Sequence, residues 1–232
     1  MKPEIGIIGG MGPMASQLLY RMITEHTVAE KDQDHISLLL LSDTSMPDRT
    51  GAILDGDYDR VKDRILEDAL FLQESGCKAA GVACNTAHFF VDMISDKLDM
   101  PIFHMIRLTA KEIAASLPQA RVGIMATDGT VKTGLYQEAL RDEGLSFYTP
   151  RPDIQKEVMH QIYDCVKSGR PCDRESFALI EKEFTDNGCS LVILACTELS
   201  VIKADEDLPD MYVDPMLVLA RKLIEFTGRR YK

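Results

Sequence analysis

The sequence predicts an α/β protein made of two similar, doubly wound, parallel four-stranded domains. Three observations point there. Short apolar runs of strand length alternate with amphipathic stretches along the whole chain. Those runs are apolar at consecutive positions, as in strands buried on both faces of a parallel sheet. One pattern also occurs twice, as "GCKAAGVACNTA" from Gly76 and "GCSLVILACTEL" from Gly188.

The elements follow in order. "IGIIGG" (5–10) reads as the first strand, with a helical pattern from Met14, and "ISLLLLS" (36–42) as the second. Val61, Ile65, Ala69 and Leu72 then fall on one helical face. "AAGVAC" (79–84) and "PIFH" (101–104) complete the first set of strands, and Ile106, Thr109, Ala110 and Ile113 keep helical spacing. The second set is "RVGIMAT" (121–127), "LSFY" (145–148), "SLVILAC" (190–196) and "MYV" (211–213). A last helix carries Met216, Leu219, Ala220 and Leu223 on one face. Eight strands are many for one sheet in 232 residues, so two sheets of four are expected.

Composition narrows the class. Apolar residues are 45% and charged residues 27%, as in ordinary globular proteins. The longest apolar runs, "ISLLLL" and "LVILA", are too short to span a bilayer. The N-terminal "MKPEIGIIGG" lacks the charged-then-apolar layout of an export signal, so a cytoplasmic protein is expected. A net charge of −11 repels nucleic acid and anionic membranes, and neither is an expected partner. An acidic ligand would need capture by a few local Arg or Lys groups. The six cysteines read as reduced thiols, with no C-x-x-C pair. Cys84 and His88 lie four apart, but no second cluster completes a zinc site, so no metal is expected.

Laid on one another, the two copies match Gly76 with Gly188, Cys77 with Cys189, Ala83 with Ala195 and Cys84 with Cys196. "IGIIGGMGP" (5–13) agrees loosely with "VGIMATDGT" (122–130), and "MPIFHMI" (100–106) with "MYVDPM" (211–216). The chain reads as two copies of one α/β unit related by pseudo-twofold symmetry. Gly76 and Gly188 look like helix C-terminal caps. Cys77 and Cys189, just before a strand, read as packing residues. Cys84 and Cys196 stand where a strand ends, the place where open parallel sheets bind ligands. Polar residues follow each: Asn85 and Thr86 in one copy, Thr197 and Glu198 in the other. A helix opening there would favour thiolate. Two half-domains facing across a cleft would bring two such cysteines to opposite faces of one ligand. That suits inversion of a stereocentre by two bases, one thiolate removing a Cα proton and one thiol returning a proton.

The motifs "GGMGP" (9–13), "PDRT" (47–50), "ACNTAH" (83–88), "ATDGT" (126–130) and "ACTEL" (195–199) resemble the aspartate racemase branch of the aspartate/glutamate racemase superfamily, in order and along essentially the whole chain. The resemblance implies a PLP-free enzyme that needs no cofactor, with its site between two α/β domains and Cys84 and Cys196 as the catalytic pair. The implied domains are 1–104 rejoined by 211–232, and 105–210. It further implies a homodimer and a small acidic amino-acid substrate, aspartate without strict exclusion of glutamate. Arg49 matches the family's carboxylate-binding arginine, suited to bidentate capture. "QIYDCVKSG" (161–169) matches a segment supplying a Tyr and a Lys; Tyr163 and Lys167, spaced i, i+4, are expected on one helix side. Met11, Thr127, Asn85, Thr86, Thr197 and Glu198 complete the expected substrate contacts, and His88 is read mainly as a helix residue with a minor electrostatic part. Rival readings are a dinucleotide enzyme built on Gly10, Gly12 and Ala15, a related isomerase or decarboxylase acting on a small dicarboxylate, and a non-catalytic or thiol-redox protein.

Overall fold

Strands β1 (Ile5–Gly9), β2 (Leu38–Ser42), β3 (Ala79–Val82) and β4 (Ile102–Phe103) form one parallel sheet in the order β2-β1-β3-β4. Strands β5 (Arg121–Ala126), β6 (Ser146–Tyr148), β7 (Leu191–Ala195) and β8 (Tyr212–Val213) form a second, in the order β6-β5-β7-β8. The computed structural model that shows this describes residues 2–232. The chain divides into two compact units, Met1–Met105 with Met216–Lys232, and Ile106–Pro215. It leaves the second unit at Met216 and not at 211, because Tyr212–Val213 pairs with β7 in the second sheet.

Each sheet is built from the centre outward. β1, β3 and β7 are buried at every position, and β5 at all but Arg121. Their side chains therefore meet helices on both faces, which explains the unbroken apolar runs. β2 departs from that expectation. Its "LLLLS" is as apolar as any strand, yet Leu38 to Leu41 are only partly buried, because β2 is an edge strand with one neighbour, β1.

The repeat is a repeat of physical devices. The helix Asp59–Glu74 and the helix Arg174–Asp186 each end in the same motif. Gly76 and Gly188 take positive φ, 94° and 69°. Gly76 N–H donates to Gln73 O and Cys77 N–H to Leu72 O; Gly188 N–H donates to Thr185 O and Cys189 N–H to Phe184 O. This is the Schellman pattern, and the residue after the glycine packs back on the helix end. Cys77 and Cys189 fill that role, each buried in a core cluster with Leu72 or Phe184. Burial pushes both thiols up, as expected of inert packing cysteines.

The same helix ends press on the central strands. A Cβ placed on Gly6 of β1 would lie 2.7 Å from Leu72 Cδ1, and one on Gly123 of β5 would lie 2.5 Å from Phe184 Cδ1. Beyond β1, Gly10 has φ of 85°, and a Cβ there would meet the Asp43 backbone at 2.3 Å. Gly10 of "GGMGP" therefore lets two loops touch at the strand ends.

Overpacking at these contacts has a predictable order. Gly123→Ala is expected to destabilise by about 1–3 kcal/mol, because a phenyl ring must move as a body. Gly6→Ala should cost less, since Leu72 can rotate its terminal methyls away. Calorimetric melting of both variants checks the order; an equal or larger loss for Gly6→Ala would contradict it.

Candidate active site

In each sheet the chain runs from the central strand to one neighbour and then crosses to the other side. The carboxyl ends of β1 and β3, and of β5 and β7, thus flank the point where strand order reverses, the usual ligand site of open α/β sheets. The sequence-derived residues gather at these two places, one set in each unit.

In the first unit, Ala83 N–H donates to Ile8 O at 2.9 Å, and Cys84 follows directly. Cys84, Asn85 and Thr86 are all buried. No helix opens at Cys84, so the condition for a helix-favoured thiolate is not met there: residues 85–87 form a turn, and only the short helix His88–Val91 follows. Met11 lies in the loop between β1 and the helix Pro13–His26. Arg49 reaches the same loop from the first turn of the helix Arg49–Asp55, whose cap is Asp48, accepting from Gly51 N–H at 2.6 Å. Arg49 is 8% exposed, and its guanidinium donates to Met11 O at 3.2 Å and Pro47 O at 3.0 Å. The structure thus brings Arg49 and Met11 together and makes Arg49 a buried cation rather than a surface one.

His88 is fully buried. Met105 N–H donates to its Nε2 at 3.2 Å, so the ring proton sits on Nδ1 and is donated to Cys84 O at 2.8 Å. Burial, with His104 close by, drives its pKa down to about 3. His88 is therefore neutral at working pH and lends a thiolate no positive charge. Its contribution is to pin the Cys84 carbonyl.

In the second unit, Ala126 of β5 pairs with Ala195 of β7, so Thr127 and Cys196 are the next residues out on adjacent strands. Thr127 caps the helix Asp128–Thr133, its Oγ1 accepting from Thr130 N–H at 3.2 Å. Cys196 is the cap residue of the helix Thr197–Glu206. Its Sγ donates to Glu198 Oε2 at 2.9 Å, and Thr197 Oγ1 approaches the same oxygen at 3.4 Å. Glu198 Oε1 accepts from Lys167 Nζ at 2.5 Å. A helix N-terminus was expected to favour thiolate at this position. The opposite holds at Cys196: burial first, then the Glu198 charge, lift its pKa well above the ordinary thiol value, and Lys167 only partly offsets this. Cys196 is a thiol.

Tyr163 and Lys167 do not share a regular α-helix. The helix Pro152–Met159 passes into a π-helical stretch, His160–Cys165, and then a 3-10 turn, Val166–Ser168. Such insertions are frequent at functional sites. Lys167 Nζ still lies 5.6 Å from the centre of the Tyr163 ring, a cation–π contact.

Sequence reasoning missed a second layer. His104 packs edge-on against His88 with ring centres 4.7 Å apart. In the second unit Ser200 Oγ donates to Asp214 Oδ1 at 2.8 Å. His88 and Ser200 each stand four residues beyond a strand-end cysteine, and His104 and Asp214 follow the fourth strands. The loose match of "MPIFHMI" with "MYVDPM" was the available signal. Tyr136, fully buried, has its hydroxyl held in the neutral form by burial and by the charge of Asp214. Among the described residues no group of three His, Cys, Asp or Glu is placed to hold a metal, and no helix is long and apolar enough to cross a membrane.

A family model described as Asp/Glu/Hydantoin racemase matches residues 8–223. The chain belongs to that family. By this membership it is an amino-acid racemase in class. A solved structure titled Picrophilus torridus aspartate racemase is 33% identical, covering 99% of this chain and 96% of its own, with a TM-score of 0.81. An aspartate racemase homologue from Pyrococcus horikoshii OT3 is 25% identical over 98% of this chain and 100% of its own, with a TM-score of 0.77. The broad specificity amino-acid racemase RacX of Bacillus subtilis is 24% identical, covering 85% of this chain and 86% of RacX. The racemase fold accounts for the glycines that suggested dinucleotide binding: Gly10 admits the Asp43 backbone.

The His88 tautomer has a pH signature. The unfolded imidazole takes a proton near 6.5 and the folded one only near 3, so between these values the unfolded state binds more protons. This racemase should lose stability as pH falls from 6.5 toward 3, with up to about 1.4 kcal/mol per pH unit from this group. Urea unfolding of wild type and His88→Gln across that range tests it; identical slopes would show that His88 titrates normally.

Proposed function

We propose that this racemase interconverts the enantiomers of an acidic amino acid, aspartate first and glutamate second, by a two-base thiol mechanism. The observation that carries the reading is the duplication itself. In two like units a cysteine occupies the carboxyl end of the third strand, beside the reversal in strand order. One Cα proton is removed by one cysteine as thiolate, and a proton is returned to the other face by the opposing thiol. The mechanism requires both thiols to reach one Cα. On this reading the thiols supply both proton transfers, so no pyridoxal phosphate is needed. The solved aspartate racemase at 33% identity supports the choice of substrate.

Arg49 suits the distal carboxylate on this reading. Its guanidinium is nearly buried beside the loop after β1, where it donates to Met11 O and Pro47 O, and a planar guanidinium can take a carboxylate bidentately. Met11, Asn85, Thr86, Thr127, Tyr163 and Thr197 shape the surroundings of the substrate, and Lys167 joins Arg49 in holding the carboxylate. A homodimer acting in the cytoplasm belongs to the same proposal.

The test is incubation with L- and D-aspartate, and with both glutamates, in deuterated water. Product of inverted configuration should carry solvent deuterium at Cα. Cys84→Ser and Cys196→Ser should each lower racemisation by at least about 10²-fold. If either variant racemises at the wild-type rate, the two-base reading is wrong. A faster rate on glutamate would reverse the substrate order.

A further inference from the structure

Lys167 is assigned above to the substrate's carboxylate, yet in the free protein its ammonium is held by Glu198 Oε1 at 2.5 Å. The other oxygen of that carboxylate accepts the Cys196 thiol proton at 2.9 Å. One carboxylate thus joins the substrate-binding cation to the reacting sulfur. The two ends differ in access: the Lys167 side chain is 23% exposed, whereas that of Glu198 is 4% exposed. An incoming anion can reach the ammonium but not the carboxylate behind it. Lys167 is also carried on the 3-10 turn that follows the π-helical stretch, with Tyr163 beside its Nζ.

We propose that Glu198 is an exchangeable counter-ion that couples capture of the substrate's distal carboxylate by Lys167 to deprotonation of Cys196. The inference rests on the racemase reading given above. In the free enzyme the ammonium sits on Oε1 and the thiol keeps its proton. When a substrate carboxylate draws Nζ away, Glu198 loses the nearest positive charge. A carboxylate without its cation is a better proton acceptor, and Nζ, 2.5 Å from Oε1, lies closer to the carboxylate than the sulfur does, 2.9 Å from Oε2. The S–H bond breaks, an O–H bond forms at Oε2, and the electron pair stays on sulfur. The thiolate then takes the Cα proton, re-forming S–H and leaving the C–H electron pair on Cα. The net charge of the Cys196–Glu198 pair is unchanged by the first transfer, so no new charge is buried at that step. Burial and the Glu198 charge, which hold the resting thiol protonated, keep the sulfur unreactive until substrate arrives.

Succinate, a dicarboxylate with no amino group, reads the binding half, and aspartate racemisation reads the proton half. Glu198→Gln frees Lys167 from its competing anion and should bind succinate about tenfold more tightly by calorimetry. In a Lys167→Met background the same substitution should bring no such gain, which separates exchange at Lys167 from a general loss of negative charge. The Gln variant should also lose about 10²-fold in kcat while KM falls, a split that a structural role would not produce. If Glu198→Gln does not fold, as judged by circular dichroism, Glu198→Asp, with a looser hold on Nζ, should shift both readouts in the same direction by less. Unchanged or weaker succinate binding, or equal tightening in both backgrounds, overturns the coupling, as does an unchanged kcat. If the wild type racemises aspartate and the cycle shows no coupling, this inference alone fails. If the wild type neither binds succinate nor racemises acidic amino acids, the functional reading fails with it.

Discussion

The constraint on which the structure depends is that the central strands of each sheet are parallel and buried on both faces. Such a strand has no position at which a polar side chain can reach water along its length. Chemistry can emerge only at its ends, and the crossover from one side of the sheet to the other leaves room at the carboxyl end. Cys84 and Cys196 stand at such ends. The close approaches at Gly6 and Gly123 serve the same constraint, since Leu72 and Phe184 sit against the central strands at distances a Cβ would not allow.

Each unit uses one scaffold for two different electrostatic environments. In the first, the position four beyond the cysteine is a buried neutral imidazole, whose Nδ1 proton binds the cysteine carbonyl. In the second it is Ser200, which donates to Asp214. Cys84 is followed by a turn, Cys196 by a full helix. Duplication preserved the caps, the strand order and the cysteine, while the polar partners diverged.

The two cations assigned to the substrate differ in the same way. Arg49 is nearly buried, and two of its guanidinium nitrogens donate to backbone carbonyls that orient it. Lys167 is more exposed and neutralised by a carboxylate. In a chain of net charge −11, an acidic substrate must be held by local cations. One of these is held by backbone groups of the fold, and the other is paired with Glu198.

Much of the fold was legible in the sequence because it is written in local patterns. The eight strands show as apolar runs, the helix stops show as Gly76 and Gly188, and the packing role of Cys77 and Cys189 follows from their place after those glycines. The racemase family was legible because the strand-end motifs occur in order. Three things were decided only in three dimensions. "ISLLLL" looks like a central strand, but its place at the edge depends on strand order, which periodicity does not carry. The irregular turn at Tyr163 and Lys167 is hidden because its i, i+4 spacing reads as α-helix. The state of Cys196 could not be read either. A helix N-terminus argues for thiolate, and the opposite outcome comes from burial and from the Glu198 carboxylate beside the sulfur. Sequence placed the sulfur at the end of a strand; desolvation, which depends on everything packed around it, decided that it carries a proton.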